Sequence, residues 1–339
     1  MAFAPRHPPR TAARVGHGWL IGAAILSLGL WLAVAYRTHG LVDAHYWQMI
    51  SAARTMEQAS HTLWSEKEKR GLLPPEEVDP NRTGMIGPEF SEITTSLGKL
   101  AAKRTVTNPD FAAALVKMIA ELRLPPEGKV IVVLSGSFVG GGIAAIASLE
   151  ALALEPVVVV SLGASQWGAT DPSFNLLEML RLLREKGIIR TRTSIAVLGG
   201  HGGVGRDMDP AAIEMLKASA ERDGVPMLEV QPLTQLVGQL LAKTDPKGEA
   251  SLVLNVGGAV VGLGSCREAQ GFPIGLSQGT AACSKGTPGL VMRLAQKGLP
   301  VIHVLNIRHL AAELGLPFDP IPLPVAGKNR RIYGRCPVC

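Results

Sequence analysis

The chain has 339 residues, 47% of them hydrophobic, enough for one large or two modest domains. Its net charge of +6 sits at the two ends: Arg6, Arg10, Arg14 and Arg37 at the start, and Lys328, Arg330, Arg331 and Arg335 in the last dozen residues, with no acid in either stretch. Without those eight the body carries 26 basic and 28 acidic residues, and aromatics make up only 4% of the chain, so a broadly basic nucleic-acid face and a base-stacking platform are both excluded.

Trp19–Tyr36 is an uncharged run rich in Leu, Ala and Ile, just long enough to span a bilayer as a helix, with Trp19, Trp31 and Tyr36 as interfacial aromatics. Three arginines precede it and one follows, which predicts a cytoplasmic N-terminus and an extracytoplasmic body. Ala33-Val34-Ala35 also fits a signal-peptide cleavage site, so an uncleaved signal-anchor is the preferred of two readings.

Asp43–Arg70 is polar with a helical apolar stripe of Met49, Ala53, Met56, Ser60 and Leu63, read as a stalk or a helix packed on the body, with a dimerising helix as the alternative. Gly71–Pro88, with Pro74, Pro75, Pro80 and Gly84, reads as a linker. Met85–Asp110 has little periodicity and concentrates Glu89, Glu92, Lys103, Arg104 and Asp110. It is either an irregular cap over a sheet or a loop that brings acid and base to a cleft. Asn108-Pro109 then starts a helix, as N-cap and first helical residue.

From Lys129 strands and helices alternate. Strands are predicted over Val130–Leu134, Val157–Ser161, Ser194–Leu198, Pro226–Val230, Leu252–Val256 and Val301–Leu305. Helices are predicted over Ile143–Leu152, from Asp171-Pro172 to Gly187, from Asp209-Pro210 to Gly224, and over Leu233–Leu241, Pro288–Gly298 and Ile307–Gly315. This order predicts an α/β fold, a doubly wound and mostly parallel sheet of about six strands, preceded by one transmembrane helix and a helical stalk. The expected division is a basic tail over 1–17, an anchor over 18–37, stalk and linker over 38–84, an extracytoplasmic α/β domain over 85–324 and an extended basic tail over 325–339.

The stretch KVIVVLSGSFVGGG at Lys129–Gly142 is a buried strand that breaks into Ser and Gly and opens a helix, a pattern that exposes backbone N–H groups to an anion. It recurs at Val157–Gly168, Ile195–Gly205 and Leu252–Gly264, and strand order would place these loops along one edge of the sheet. For any single copy, glycine's conformational freedom is reason enough for its presence. Ser135 and Ser137 stand where a nucleophile or anion-binding hydroxyl would stand, beside Gly136. Ser161, Ser165, Trp167 and Asp171 occupy the next loop, His201, Arg206 and Asp207 the third, and Asn255 ends the fifth strand. A Ser, His201 and Asp207 on neighbouring loops would make a triad, although no G-x-S-x-G elbow is present. Gly200–Gly205 satisfies GxGxxG, with Glu229 downstream, but its helix starts late for a dinucleotide fingerprint. There is no HExxH, Walker A or Cys/His cluster for a metal, and no cofactor is read from the sequence. Cys266 and Cys283 fall in one loop-like region, and the terminal C-P-V-C of Cys336 and Cys339 is a weak redox or metal signal.

The segments GMIGPEFSEITTSLG at Gly84–Gly98, AKRTVTNPDF at Ala102–Phe111, SGSF at Ser135–Phe138, GASQWGATDP at Gly163–Pro172 and NVGG at Asn255–Gly258 resemble the poly-γ-glutamate system protein family. These are membrane-anchored proteins associated with poly-γ-glutamate synthesis and export. The resemblance runs from about Gly84 to Pro324. It implies a pathway and supplies no catalytic residues. With the loop argument it gives three functional expectations. The first is a cytoplasmic-membrane component that binds the polymer, or another carboxylate-rich ligand, or the synthase membrane subunits, with Lys103, Arg104 and Arg206 adding charge-assisted contacts. The second is a γ-glutamyl hydrolase or transferase using Ser135 or Ser137. The third is a nucleotide-binding enzyme. Nucleic acid is not an expected partner.

Overall fold

The computed structural model describes residues 17–38, 43–278 and 282–334. The basic stretch before His17, and Arg335, Cys336 and Cys339, lie outside the described residues. Helix α1 (His17–Thr38) has 22 residues, and Trp19 and Trp31 on it are exposed. Its described side chains run from His17 to Ala33, about 26 Å of helix against a hydrocarbon core of about 30 Å. Among the described residues no helix is long and apolar enough to cross a membrane.

From Asp43 the chain forms a second unit. Its centre is a six-stranded sheet of β2 (Lys129–Ser135), β3 (Glu155–Ser161), β5 (Thr193–Val197), β6 (Leu252–Val256), β7 (Gly275–Ser277) and β8 (Val301–Val304), in the order β5-β3-β2-β6-β8-β7. All pairings are parallel except that of the edge strand β7 with β8. A separate two-stranded parallel sheet joins β1 (Thr94–Ser96) to β4 (Ala164–Ser165). Strand β2 is buried from Val130 to Ser135, as a strand covered on both faces must be. Val130, Val132 and Leu134 enter one apolar cluster and Ile131 and Val133 the other. The first cluster takes α2 (Tyr46–Arg70), α4 (Pro109–Ala120), α5 (Val139–Ala151), α6 (Leu176–Glu185) and α7 (Pro210–Asp223). The second takes α8 (Leu233–Thr244), α9 (Val260–Leu263) and α10 (Leu290–Gln296).

The caps read from the sequence form as hydrogen bonds. The Asn108 side chain accepts from Asp110 N at 3.0 Å and that of Asp209 from Ala211 N at 2.8 Å. Asp171 caps only a 3-10 turn over Pro172–Phe174, and α6 starts afresh on Asn175. Pro226–Val230 is not a strand: it makes a single bridge, Met227 to Ala196, at the open edge of β5. The antiparallel strand β7 was not expected from the sequence. Its three residues carry no alternation to read. Helix α5 begins at Val139, four residues before the predicted start, so Gly140–Gly142 lie in its first turn. A Cβ on Gly140 would stand 2.5 Å from the Val106 carbonyl oxygen, so there the glycine serves close packing.

Helix α2 is a layer of the body and does not stand off it: Met49, Ala53, Met56 and Leu63 are fully buried against α4 and α5. The expected linker is partly buried too, through Asp79, Thr83, Met85 and Ile86. The expected extended C-terminal tail turns back as α12 (Arg330–Tyr333), and Tyr333, fully buried, donates to Asp110 Oδ1 at 2.7 Å. Burial pushes the Asp110 carboxyl up to about 6 and pushes the Tyr333 phenol up as well. Met56→Ala and Leu63→Ala are each expected to cost about 2–5 kcal/mol of unfolding free energy, read from urea midpoints at unchanged slope. Losses below about 0.5 kcal/mol would mean that α2 stands free.

Candidate functional site

The carboxyl ends of the parallel strands open onto a cleft of 1250 Å³. Strand order reverses about β2, which has β3 on one side and β6 on the other, and open α/β sheets bind ligands at such a point. Ser135 and Ser137 line the cleft from the end of β2, Ser161 and Ser165 from the end of β3. His201 reaches it from the loop after β5, Gly258 from that after β6, and Arg308 from that after β8. The Gly/Ser loops therefore meet on one rim.

The cap over this rim is built by main-chain pairing. Strand β1 lies beside β4, with Thr94 opposite Ala164 and Ser96 opposite Ser165. The Gln166 side-chain oxygen accepts from Gly98 N at 2.8 Å, and its nitrogen donates to Glu89 at 3.1 Å. Helix α3 (Leu100–Thr105) follows and drives Lys103 under the cap. Lys103 is only 3% exposed. Its Nζ donates to Ser165 Oγ at 2.5 Å and to the Ser137 carbonyl, and lies 4.1 Å over the Phe138 ring. No carboxylate pairs with it among the described residues. Burial without a counter-charge pushes the amine down from 10.5 to about 7. A Cβ on Gly98 would lie 2.7 Å from the Gln166 carbonyl oxygen and 3.3 Å from both Lys103 Cε and Ser165 Oγ. Glycine there lets the cap close on the pair.

The other serines brace Ser165. Ser165 N donates to Ser137 Oγ at 2.9 Å, and Ser135 Oγ donates to the same oxygen at 3.0 Å. Having accepted twice, Ser137 keeps its own proton for a further acceptor. A serine hydroxyl held against an amine that is neutral near pH 7 is an activated nucleophile with its general base.

The remaining residues proposed from the sequence have other duties. His201 and Asp207 line the cleft, but the contact between them runs from His201 backbone N to Asp207 Oδ1 at 2.8 Å. No described hydrogen bond joins the His201 ring to a serine, so the Ser–His–Asp grouping is not assembled. Arg104 is held by Asp319, its Nε 2.6 Å from Oδ1. Arg206 lies outside the cleft lining and donates to the Gln231 side chain. Trp167 and Asp171 are also outside the lining; Trp167 has φ +65° and Asp171 caps its turn. Gly136 works through its backbone, its N donating to Ser161 O at 2.8 Å. Asn255 is buried behind the cleft, 2.8 Å from His303 Nδ1, and burial pushes His303 down to about 4.

In the Gly200–Gly205 turn, Gly203 N donates to Gly200 O at 3.1 Å and Gly205 N to Gly199 O at 2.8 Å, so amides that would cradle a phosphate are already engaged. No group of His, Cys, Asp or Glu that could hold a metal ion occurs among the described residues. Cys266 and Cys283 form a disulfide. The sequence placed Lys103 and Ser165 on separate segments and could not pair them, because they are 62 residues apart. It gave no sign of Gly98, Phe138, Gln166, Arg308 or Phe318, whose places come only from the folded loops. Comparisons with protein-family models, with curated proteins and with solved structures find no match for this chain.

Lys67 is also buried. It donates to the Ile86 carbonyl at 2.6 Å, and burial pushes its amine down to about 8. Between pH 7 and 10.5 the native chain holds fewer protons on Lys67 and Lys103 than the unfolded chain, so these residues make stability rise with pH across that window. Urea midpoints at pH 6.5 and 9.5 check the sign, and Lys103→Met is expected to flatten the rise.

Proposed function

We propose that this protein is a serine–lysine acyl hydrolase or transferase acting on γ-glutamyl amides in a poly-γ-glutamate system. The observation that carries the reading is the 2.5 Å contact of Ser165 Oγ with the buried Lys103 amine at the floor of the cleft. Near neutral pH the unprotonated amine takes the Ser165 proton as Oγ attacks the amide carbonyl carbon. The C–O bond forms and the carbonyl electron pair moves to oxygen. The free proton of Ser137 is placed to meet that developing charge. The Lys103 ammonium then returns the proton to the departing nitrogen as the C–N bond breaks, leaving an ester on Ser165. Water completes hydrolysis, or an amine completes transfer.

The pathway rests on the family resemblance of Gly84–Pro324. The same proposal puts the body outside the cytoplasmic membrane on an N-terminal anchor, beside the synthase subunits. Supporting it are the apolar run Trp19–Tyr36, the arginines before it, and the Cys266–Cys283 disulfide, a bond kept in oxidising compartments.

Release of glutamate or shorter chains from γ-linked oligomers tests the chemistry. Ser165→Ala and Lys103→Met are each expected to lower kcat by about 10²–10⁴. Because the base is the neutral amine, kcat/KM should climb with pH through about 7. Turnover that survives both substitutions overturns the reading. Tight polymer binding with no turnover in the wild type returns the protein to a non-catalytic binding subunit.

A further inference from the structure

We infer that Arg308 is a carboxylate clamp that selects acyl chains bearing a free carboxylate beside the scissile amide, and that Arg104 is its positioning residue. The inference rests on the acyl-transfer reading of the same cleft. Among the described cleft-lining residues the cations are Lys99, Lys103 and Arg308 and the only acid is Asp207, which already accepts from His201 N. Lys103 is a neutral base near pH 7, so the rim charge comes from the exposed Lys99 and Arg308.

Arg308 is the second residue of α11 (Ile307–Leu314) and has no carboxylate partner among the described ion pairs. Its guanidinium carbon lies 4.0 Å from the centroid of Phe318, which also lines the cleft. Stacking occupies the flat face and leaves the N–H edge free to grip a carboxylate through two parallel bonds. Phe318 precedes Asp319, which holds φ +54°. Asp319 is fixed by Arg104, at 2.6 and 2.5 Å, and by its backbone N on Thr105 Oγ1 at 2.9 Å. Helix α3 therefore carries the base at Lys103 and, one residue on, the tie that sets the Phe318 platform. The substrate class this fits is a γ-linked glutamate oligomer, with one free carboxylate per unit.

The test uses the full-length Ser165→Ala protein, which binds without turning over. Calorimetry compares γ-linked triglutamate with its α-carboxamide counterpart. Triglutamate is expected to bind at least about tenfold tighter, and Arg308→Gln to weaken it about 10–100-fold and erase the preference. Arg308→Lys should recover only part, because the fork is lost. Arg104→Met and Phe318→Leu should shrink the carboxylate-to-carboxamide ratio, whereas a merely structural defect would weaken both ligands alike. Equal binding of the two ligands, an Arg308→Gln variant that binds like its parent, or inorganic phosphate displacing triglutamate as readily as glutarate does would each overturn the clamp. Carboxylate-selective, Arg308-dependent binding without wild-type turnover sinks the catalytic reading alone. Ser165-dependent turnover indifferent to Arg308 sinks the clamp alone.

Discussion

The interaction on which the site depends is the burial of the Lys103 amine among two oxygens and an aromatic face, with no carboxylate beside it. A charged ammonium there is costly, so the neutral form is favoured near pH 7. Such a group stays in place only if the surrounding structure holds it. Three ties do so: the pairing of β1 with β4, the Gln166 bond to Gly98 N, and the Arg104–Asp319 ion pair one residue beyond the lysine. Each spans more than 60 residues of sequence. The reactive pair is thus a product of the tertiary fold and not of a local motif.

That explains which parts were legible in the sequence. The β-branched runs at Val130 and Val157, the Asx-Pro helix starts and the glycine stops are short-range signals, and they placed most of the sheet and the edge where the Gly/Ser loops gather. Pro226–Val230 failed because proline and an open edge leave it one bridge. The helix α2 stripe was read correctly as amphipathic, yet whether it would pack or stand away depended on α4 and α5. Within the site, Lys103 and Ser165 were both named, each as an anion ligand. Their chemistry changed once folding removed water and brought them to 2.5 Å.

The source of positive potential also differs from the sequence argument. Backbone amides were expected to hold the anion, but those of the Gly200–Gly205 turn bond within the turn, and Gly140 serves helix packing. Side chains supply the charge at the rim instead. Arg104 and Arg206 are engaged elsewhere. Arg308, which lies in an ordinary-looking amphipathic helix, is exposed at the cleft. A basic residue's role was decided by whether a partner waited for it, and for Arg104 that partner lay at Asp319.

The clamp and the base are linked through electrostatics. A substrate carboxylate entering near Lys103 unpaired would favour the ammonium, raise its pKa and remove the general base before reaction. Pairing that carboxylate with Arg308 compensates the charge locally, so burial continues to set the state of Lys103. A cation at the rim is therefore a condition for using a desolvated lysine on an anionic substrate. The same condition explains why the acid-poor lining of the cleft and the lack of a carboxylate beside Lys103 belong together: any fixed negative charge at that depth would hold the proton that Ser165 must give away.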